Sequence, residues 1–288
     1  NRSFFYPSIS ASWVFSDMFN KMEKPLPDWF TYGKVRISFA EVGNDMDPYQ
    51  LYNSYKIGSE GNTGGVNAGY SSSTLYNPDV KSELIKSWEA GAEIRFLNNR
   101  LGLDVTWYKS NATRQLLNIP MNSLSGYTAM KVNAGNIENQ GVEIMLNATP
   151  VQTKDFTWDM QLNFSKNNNK TIELLPGTEN EGMTSTFGGY DNLYVYAVSG
   201  GNYGEIWGTK FQRVEEGPYA GQLLLNSAGL PQGTSKAEKI GDQQAKCLLG
   251  WTNTFTWKGF SLSFLIDGRF GGDIYSGTNR MLQANGVA

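Results

Sequence analysis

Between residues 7 and 16 the chain reads PSISASWVFS, and its side chains alternate: Ile9, Ala11, Trp13 and Phe15 fall on one side, Ser8, Ser10, Ser12 and Ser16 on the other. A period of two belongs to a β-strand, whose successive side chains point to opposite faces of a sheet. The alternation returns along the chain. Over 33–43, Val35, Ile37 and Phe39 oppose Lys34, Arg36 and Ser38, and over 86–96, Trp88, Ala90, Ala92, Ile94 and Phe96 oppose Glu89, Glu93 and Arg95. Further strands are expected at 101–110, 139–149 and 156–165. A strand or hairpin is expected at 194–213, and a hairpin pairs 247–257 with 260–270 across Lys258 and Gly259.

Connections alternate in length. Residues 97–100, with an Asn pair that tolerates left-handed backbone, and 150–155 read as tight turns; 17–31 reads as a moderate turn broken by Pro25 and Pro27. Residues 43–82 and 111–135 read as long loops, and 166–245 is loop-like apart from the hairpin. Strands of roughly ten residues with alternately short and long connections are the pattern of an all-β, antiparallel up-and-down transmembrane barrel. In that architecture the short turns are periplasmic, the long loops extracellular, the apolar face meets lipid and the polar face lines a lumen.

A soluble β-sandwich uses the same period and is the alternative. Charge favours the barrel, because Lys34, Arg36, Glu89, Glu93 and Arg95 all lie on the face opposite the apolar one, as lumen-facing charges would. Phe15, Trp29, Phe30, Phe96, Phe156, Trp158, Trp257 and Phe260 lie beside the short connections, where an interfacial aromatic girdle belongs. The mean hydropathy of -0.41 is ordinary, as alternation makes it, and no apolar run approaches the ~18 residues of a spanning helix.

The chain contains no histidine, which removes Ser-His-Asp and Cys-His catalysis and His-ligated metals. Its single cysteine, Cys247, forms no internal disulfide, and a net charge of -3 argues against nucleic acid as a partner. Asn44, Asp45 and Asp47 lack the central Gly and closing Glu of a calcium loop, so no metal site is expected. Glu89 and Glu93 could form an acid-base pair, but Arg95 beside them favours an electrostatic lining. The clusters GSEGNTGG and SGGNYG lack the Lys-Ser/Thr of a phosphate loop. Neither a cofactor nor an enzymatic activity is expected.

The segments FYPSISASWVFS, KVRISFAEVGN, NPDVKSE, FLNNRLGLDVTWYKSNATRQLL, NAGNIENQGVEIMLN, FTWDMQLNFSKNNN and IGDQQAKCLLGWTNTFTWKGFSLSFLIDGRFGGDIYS resemble, in this order, SusC/RagA-like TonB-linked outer-membrane proteins. One local departure is Gln243, Gln244 and Ala245, where that family often has Asn-Pro after Ile-Gly-Asp. The resemblance implies a multi-pass barrel in the Gram-negative outer membrane that imports oligosaccharides or peptides. Its implied partners are a SusD-like surface lipoprotein and the TonB complex. It also implies that residues 1–288 are part of the barrel domain, about nine or ten strands of a larger barrel, with the plug, TonB-contacting segment and closing strands outside this chain. Tyr49, Tyr52, Tyr55, Tyr70, Tyr76 and Tyr127, in the expected extracellular loops, are candidate ligand or lid contacts. A rival reading is a soluble or surface-displayed glycan-binding module that uses the same tyrosines without transport.

Overall fold

A computed structural model describes residues 4–23, 26–61, 67–175, 180–184 and 193–287. In chain order the strands are β1 (Ser8–Val14), β2 (Phe30–Asn44), β3 (Tyr55–Gly61), β4 (Asn67–Ser71), β5 (Thr74–Leu75), β6 (Glu83–Phe96), β7 (Leu101–Pro120), β8 (Ala129–Gln152) and β9 (Phe156–Glu173). There follow β10 (Asn180–Thr184), β11 (Tyr194–Val198), β12 (Tyr203–Gly208), β13 (Glu238–Asp242), β14 (Cys247–Trp257) and β15 (Phe260–Phe270). Helices α1 (Phe15–Lys21) and α2 (Gly277–Ala284) are short. The main sheet runs β1-β2-β6-β7-β8-β9-β14-β15, with β5 added in parallel to β8, and it does not close on itself. A second sheet, β10-β11-β12-β13, and the ribbon β3-β4 are inserts.

Apart from α1 at the short-turn end of β2, no described element covers the apolar face of the main sheet, as a second sheet would in a sandwich. Ile9 (70% exposed), Ile37 (52%), Trp88 (50%), Leu262 (64%) and Ile266 (54%) lie open on it. The buried apolar side chains among the described residues are instead Val80, Leu174, Leu193, Val195, Ala197 and Ile206, and none belongs to the main sheet. A face this apolar and this open is suited to hydrocarbon rather than water.

Strand register shows how that face sits in a membrane. Following the outward side chains toward the long loops, the last apolar residue is Phe39 on β2, Trp88 on β6, Trp107 on β7, Val142 on β8 and Phe164 on β9. The next outward residues are Glu41, Lys86, Lys109, Gln140 and Lys166. Phe164 lies in register with Val35, four residues before Phe39, so the polarity boundary descends by four residues over the four steps from β2 to β9. With ~3.3 Å per residue and ~4.8 Å between strands, that slope makes the strands tilt about 35° from the membrane normal, the inclination of transmembrane barrels. The other edge descends equally: Phe96 is in register with Met160, and β9 stays apolar outward through Trp158 to Phe156. On β6 and β9 the band therefore keeps the same height, which for 88–96 and for 156–164 comes to about 22 Å at that tilt.

The tight turns form as their residues dictate. Leu97, Asn98 and Asn99 have φ of 53°, 55° and 66°, and Lys258 and Gly259 have 44° and 92°, the left-handed geometry of short hairpins. Beside the first turn, Phe96 packs on Trp29 and Phe30 with centroids 5.7 and 5.5 Å apart, and beside the second, Phe255 stacks on Trp158 at 5.7 Å. Four expectations are corrected. Residues 17–31 are not merely a turn, since α1 carries Phe15 back over Gly33, where a Cβ would collide with its ring. The expected loop 111–135 is largely strand, because β7 and β8 stay paired as far as Pro120 and Ala129. The region 43–82 contains β3, β4 and β5, and 166–245 contains the end of β9 and the second sheet.

On the polar face, Arg36 of β2 reaches across β6 to β7. Its Nη1 and Nη2 donate to the two carboxylate oxygens of Asp104 at 3.0 and 2.7 Å, and Nη2 also donates to Thr106 Oγ1 at 2.5 Å. The strand between offers Gly91 beneath the guanidinium, where a Cβ would come within 2.7 Å of Nε. The fork thus ties three strands, and bidentate charge-assisted pairs are among the stronger polar contacts.

Spin labels placed singly in a Cys247→Ser background should cross from oxygen-accessible to nickel-accessible between positions 88 and 86 on β6, but between 164 and 166 on β9; a crossing at one common register row would refute the tilt. Gly91→Leu should displace the Arg36 fork and lower stability by about 1–3 kcal/mol in detergent unfolding. Arg36→Met combined with it should add little, since both changes break the same contact.

Candidate functional site

Beyond Ser165, β9 loses β14 as a neighbour, because the β9–β14 ladder ends at Ser165 and Leu248. The free edge is taken up by the second sheet. Thr171 N–H donates to Gly201 O at 2.9 Å and Gly200 N–H to Thr171 O at 2.8 Å. The Gln244 carboxamide makes the closest join: Oε1 accepts from Asn169 N–H at 3.3 Å, and Nε2 donates to Asn169 O at 3.4 Å and to Tyr203 O at 2.7 Å. These contacts fix the second sheet over the lumenal side of the wall.

Among the described side chains that sheet has its own apolar core of Leu193, Val195, Ala197 and Ile206 and a buried carboxylate, Glu205, 5% exposed. Glu205 accepts from Lys239 Nζ at 2.7 Å, Trp207 Nε1 at 3.0 Å and the Asn202 N–H at 3.2 Å. Burial works against the charge on Lys239, but its hydrogen bonds to Glu205 and Asp242 outweigh that and raise its pKa above the ordinary lysine value.

Between second sheet and wall lies a cavity of about 630 Å³. Leu193, Val195, Ile206 and Leu248 give it an apolar side; Asn167, Asn169, Gln243 and Gln244 give it carboxamides; Tyr203 and Tyr275 add phenol rings, and Arg269 and Asp273 one charge of each sign. Arg269 Nη2 donates to Gln243 O at 2.6 Å. An amide lattice continues the lining, in which Asn167 and Asn169 donate to Asn139 Oδ1 at 3.2 and 2.8 Å and Tyr108 Oη donates to Asn167 Oδ1 at 3.2 Å. Asn169 Oδ1 is buried with no hydrogen-bond partner. A buried acceptor of this kind is ordinarily met by a bound water, so it belongs to the wall of the cavity rather than to its open surface. Amides, phenols and an apolar flank suit a neutral polar ligand with hydroxyl or amide donors. A second cavity of about 520 Å³, lined by Arg36, Asp104, Glu143 and Asp267, adjoins the first through Ser165 and Leu248.

The register places Lys34, Arg36, Glu89, Glu93 and Arg95 on the polar face, with Lys34 opposite Glu93 and Glu89 opposite Ser38. Arg95 bonds Glu93 at 2.6 Å and stacks its guanidinium on Tyr32, 5.1 Å from the ring centroid. Only Arg36 of the five lines either of these two cavities. The tyrosines divide: Tyr49, Tyr52 and Tyr55 are 95%, 67% and 83% exposed, Tyr76 and Tyr127 are half-buried, and the Tyr70 side chain lies outside the described residues. None of them lines the main cavity. Its own residues went unmarked in the sequence except Gln243, Gln244 and Ala245, whose departure from the family pattern was the available signal.

A family model described as TonB dependent receptor-like, beta-barrel matches residues 1–280. The chain belongs to that family. It is 26% identical over 305 residues to TonB-dependent receptor P3 of Formosa agariphila, covering 96% of this chain and 29% of that receptor. With TonB-dependent receptor SusC of Bacteroides thetaiotaomicron it shares 26% over 304 residues, covering 96% of this chain and 28% of SusC. The chain thus spans less than a third of the length of these relatives. Among solved structures, the RagAB peptide transporter superposes with a TM-score of 0.72 at 21% identity over 93% of this chain and 29% of that one. The RagAB peptide importer in its closed-closed state gives 0.74 at 22%, over 94% and 30%. The fold is that of part of these barrels, the chain belongs to the outer-membrane β-barrel of such a receptor, and its relatives are receptors rather than enzymes.

Glu205→Leu should loosen the second sheet by about 2–4 kcal/mol, because Lys239 and the Trp207 indole lose their acceptor. Hydrogen exchange should then quicken across 193–242 while β6 to β8 stay protected. For wild type the raised Lys239 pKa gives a sign: its contribution is whole below the ordinary lysine value of about 10.4 and disappears as pH rises through the higher folded value. Exchange in the second sheet should therefore accelerate beyond its intrinsic pH dependence only in that alkaline range.

Proposed function

We propose that this chain is part of the wall of a TonB-dependent importer that carries bulky polar nutrients, oligosaccharides or peptides, across the outer membrane. On this reading residues 1–288 form part of the receptor barrel domain, while the plug, the TonB-contacting segment and the closing strands belong to other parts of a longer protein. The cavity carries the reading: it lies on the lumenal side and is lined by carboxamides, phenol rings and an apolar flank, with Arg269 and Asp273 offsetting each other in charge. The charged lumenal residues, Arg36, Lys34, Glu89, Glu93 and Arg95, would keep the passage wetted and screen ligands by charge. A SusD-like surface lipoprotein would close the extracellular mouth, with exposed Tyr49, Tyr52 and Tyr55 as its contacts or as sugar-stacking platforms. The name of the RagAB peptide transporter supports an importer, and that of SusC, a TonB-dependent receptor, specifies no ligand. The rival reading, a soluble glycan-binding module, is disfavoured by the open apolar band, which a water-soluble module would have to cover.

The test is uptake by cells that carry the full-length receptor, offered fluorescent oligosaccharide pools and peptide pools in parallel. Asn169→Leu should weaken binding of the imported pool about tenfold by calorimetry, as a lost buried hydrogen bond does. Unchanged uptake of every pool in this variant and in Tyr275→Ala would sink the assignment of this cavity.

A further inference from the structure

The outer surface of the wall carries a feature that import does not use. Where the apolar band ends toward the long loops, lysines follow it down the slope: Lys86 on β6, Lys109 on β7, Lys166 and Lys170 on β9. Two of them are matched by recessed carboxylates, Lys86 by Glu41 and Lys109 by Glu138, each at 2.9 Å, and Glu138 also lies in register with Lys170. Lys166 has no ion-pair partner among the described residues. It stands at the rim of a cleft of about 790 Å³, opened where β14 stops short of β9. Trp107 and Val142, the last apolar outward residues of their strands, line that cleft together with Lys166, Lys246 and the carboxamides of Gln140 and Asn168. Two carboxylates also reach it, and both are engaged: Asp242 accepts from Asn202 and Lys239, and Asp273 from the Asp242 N–H.

An apolar floor level with the hydrocarbon edge and unmatched ammonium groups directly above it describe an amphiphile with an anionic head. We propose that this cleft binds a phosphate-bearing lipid of the outer leaflet, its acyl chains against Trp107 and Val142 and its phosphate between Lys166 and Lys246. The phosphate is held as a point charge by flexible ammonium groups, and the amides of Gln140 and Asn168 supply donors to its remaining oxygens. Register and charge place this cleft on the outer surface, whatever the lumen carries.

The experiment uses the full-length receptor in nanodiscs of phosphatidylcholine doped with bisphosphorylated lipid A, with bound lipid counted by native mass spectrometry. Lys166→Gln and Lys246→Gln should each weaken retention about fivefold and Lys166→Arg should keep it, as expected for one juxtamembrane charge. Glu138→Gln, which frees Lys109 and Lys170 from their carboxylate, should tighten it, a gain that misfolding cannot mimic. The proposal is overturned if dephosphorylated lipid A is retained equally or if the glutamine variants match wild type. Displacement of lipid A by millimolar inorganic phosphate would also overturn it, since that would assign a free anion rather than a lipid.

Discussion

Hydrocarbon offers a peptide group nothing to bond with, so a chain that crosses it in strands must satisfy each N–H and C=O in the ladder to its neighbours. The other features of this wall follow from that demand. Once the backbone is committed to ladders, side chains have only two directions, and sequence polarity must follow a period of two. The ladders also fix the rows of paired residues, which run perpendicular to the strands and therefore slope across the membrane when the strands tilt. The apolar band crosses those rows at about one residue per strand, which in barrel terms is the shear that sets tilt and diameter together. Tilt is therefore written into the positions of Phe39, Trp88, Trp107, Val142 and Phe164 before any shape is drawn.

The polar face solves a different problem. Charged groups there are wetted but crowded, and glycine makes room for them. Arg36 reaches a carboxylate two strands away only because Gly91 leaves the intervening strand bare. Tyr108 lies over Gly141 in the same fashion, with its hydroxyl on Asn167, and on the outward face Phe15 covers Gly33. In each case a glycine that would weaken a strand by itself is covered by a neighbour, so that backbone which would otherwise be exposed is shielded and a cross-strand contact is gained.

What was legible in the sequence was whatever the period of two encodes. The strand cores, their faces and the turns at Asn98-Asn99 and Lys258-Gly259 could be read because alternation and left-handed residues are local signals. The upper halves of β7 and β8 could not. Beyond Trp107 the outward positions turn polar, as at Lys109, Asn111 and Thr113, and after the left-handed Arg114 the adjacent Leu116 and Leu117 break the period of two, so the alternation that marks a strand is lost although the ladder continues. Strand length outside the membrane is thus invisible to a polarity pattern. The cavity was hidden for another reason: Asn167 and Asn169 come from β9, Tyr203 from the second sheet and Tyr275 from beyond β15, and no spacing in the chain predicts their meeting. Exposed tyrosines were a reasonable guess for ligand contacts, but composition cannot tell a loop that faces solvent from a strand end that faces a cavity.

Unequal strand lengths explain why the cavity exists. β9 runs to Glu173 while its partner β14 begins only at Cys247, in register near Ser165, so the last stretch of β9 has one edge without a neighbour. Above the membrane such an edge must be bonded to water or covered. Here residues 200–202 and the Gln244 side chain cover it, the carboxamide acting as a stand-in for one residue of a missing strand by accepting from Asn169 N–H and donating to Asn169 O. A carboxamide can do both at once, which is what Gln244 requires and what proline, without an N–H or a polar side chain, could not supply. The local departure from the family pattern at Gln243-Gln244-Ala245 therefore falls where the roof of the cavity is joined to its wall, and a change in that short segment alters the cavity without disturbing a single membrane-spanning ladder.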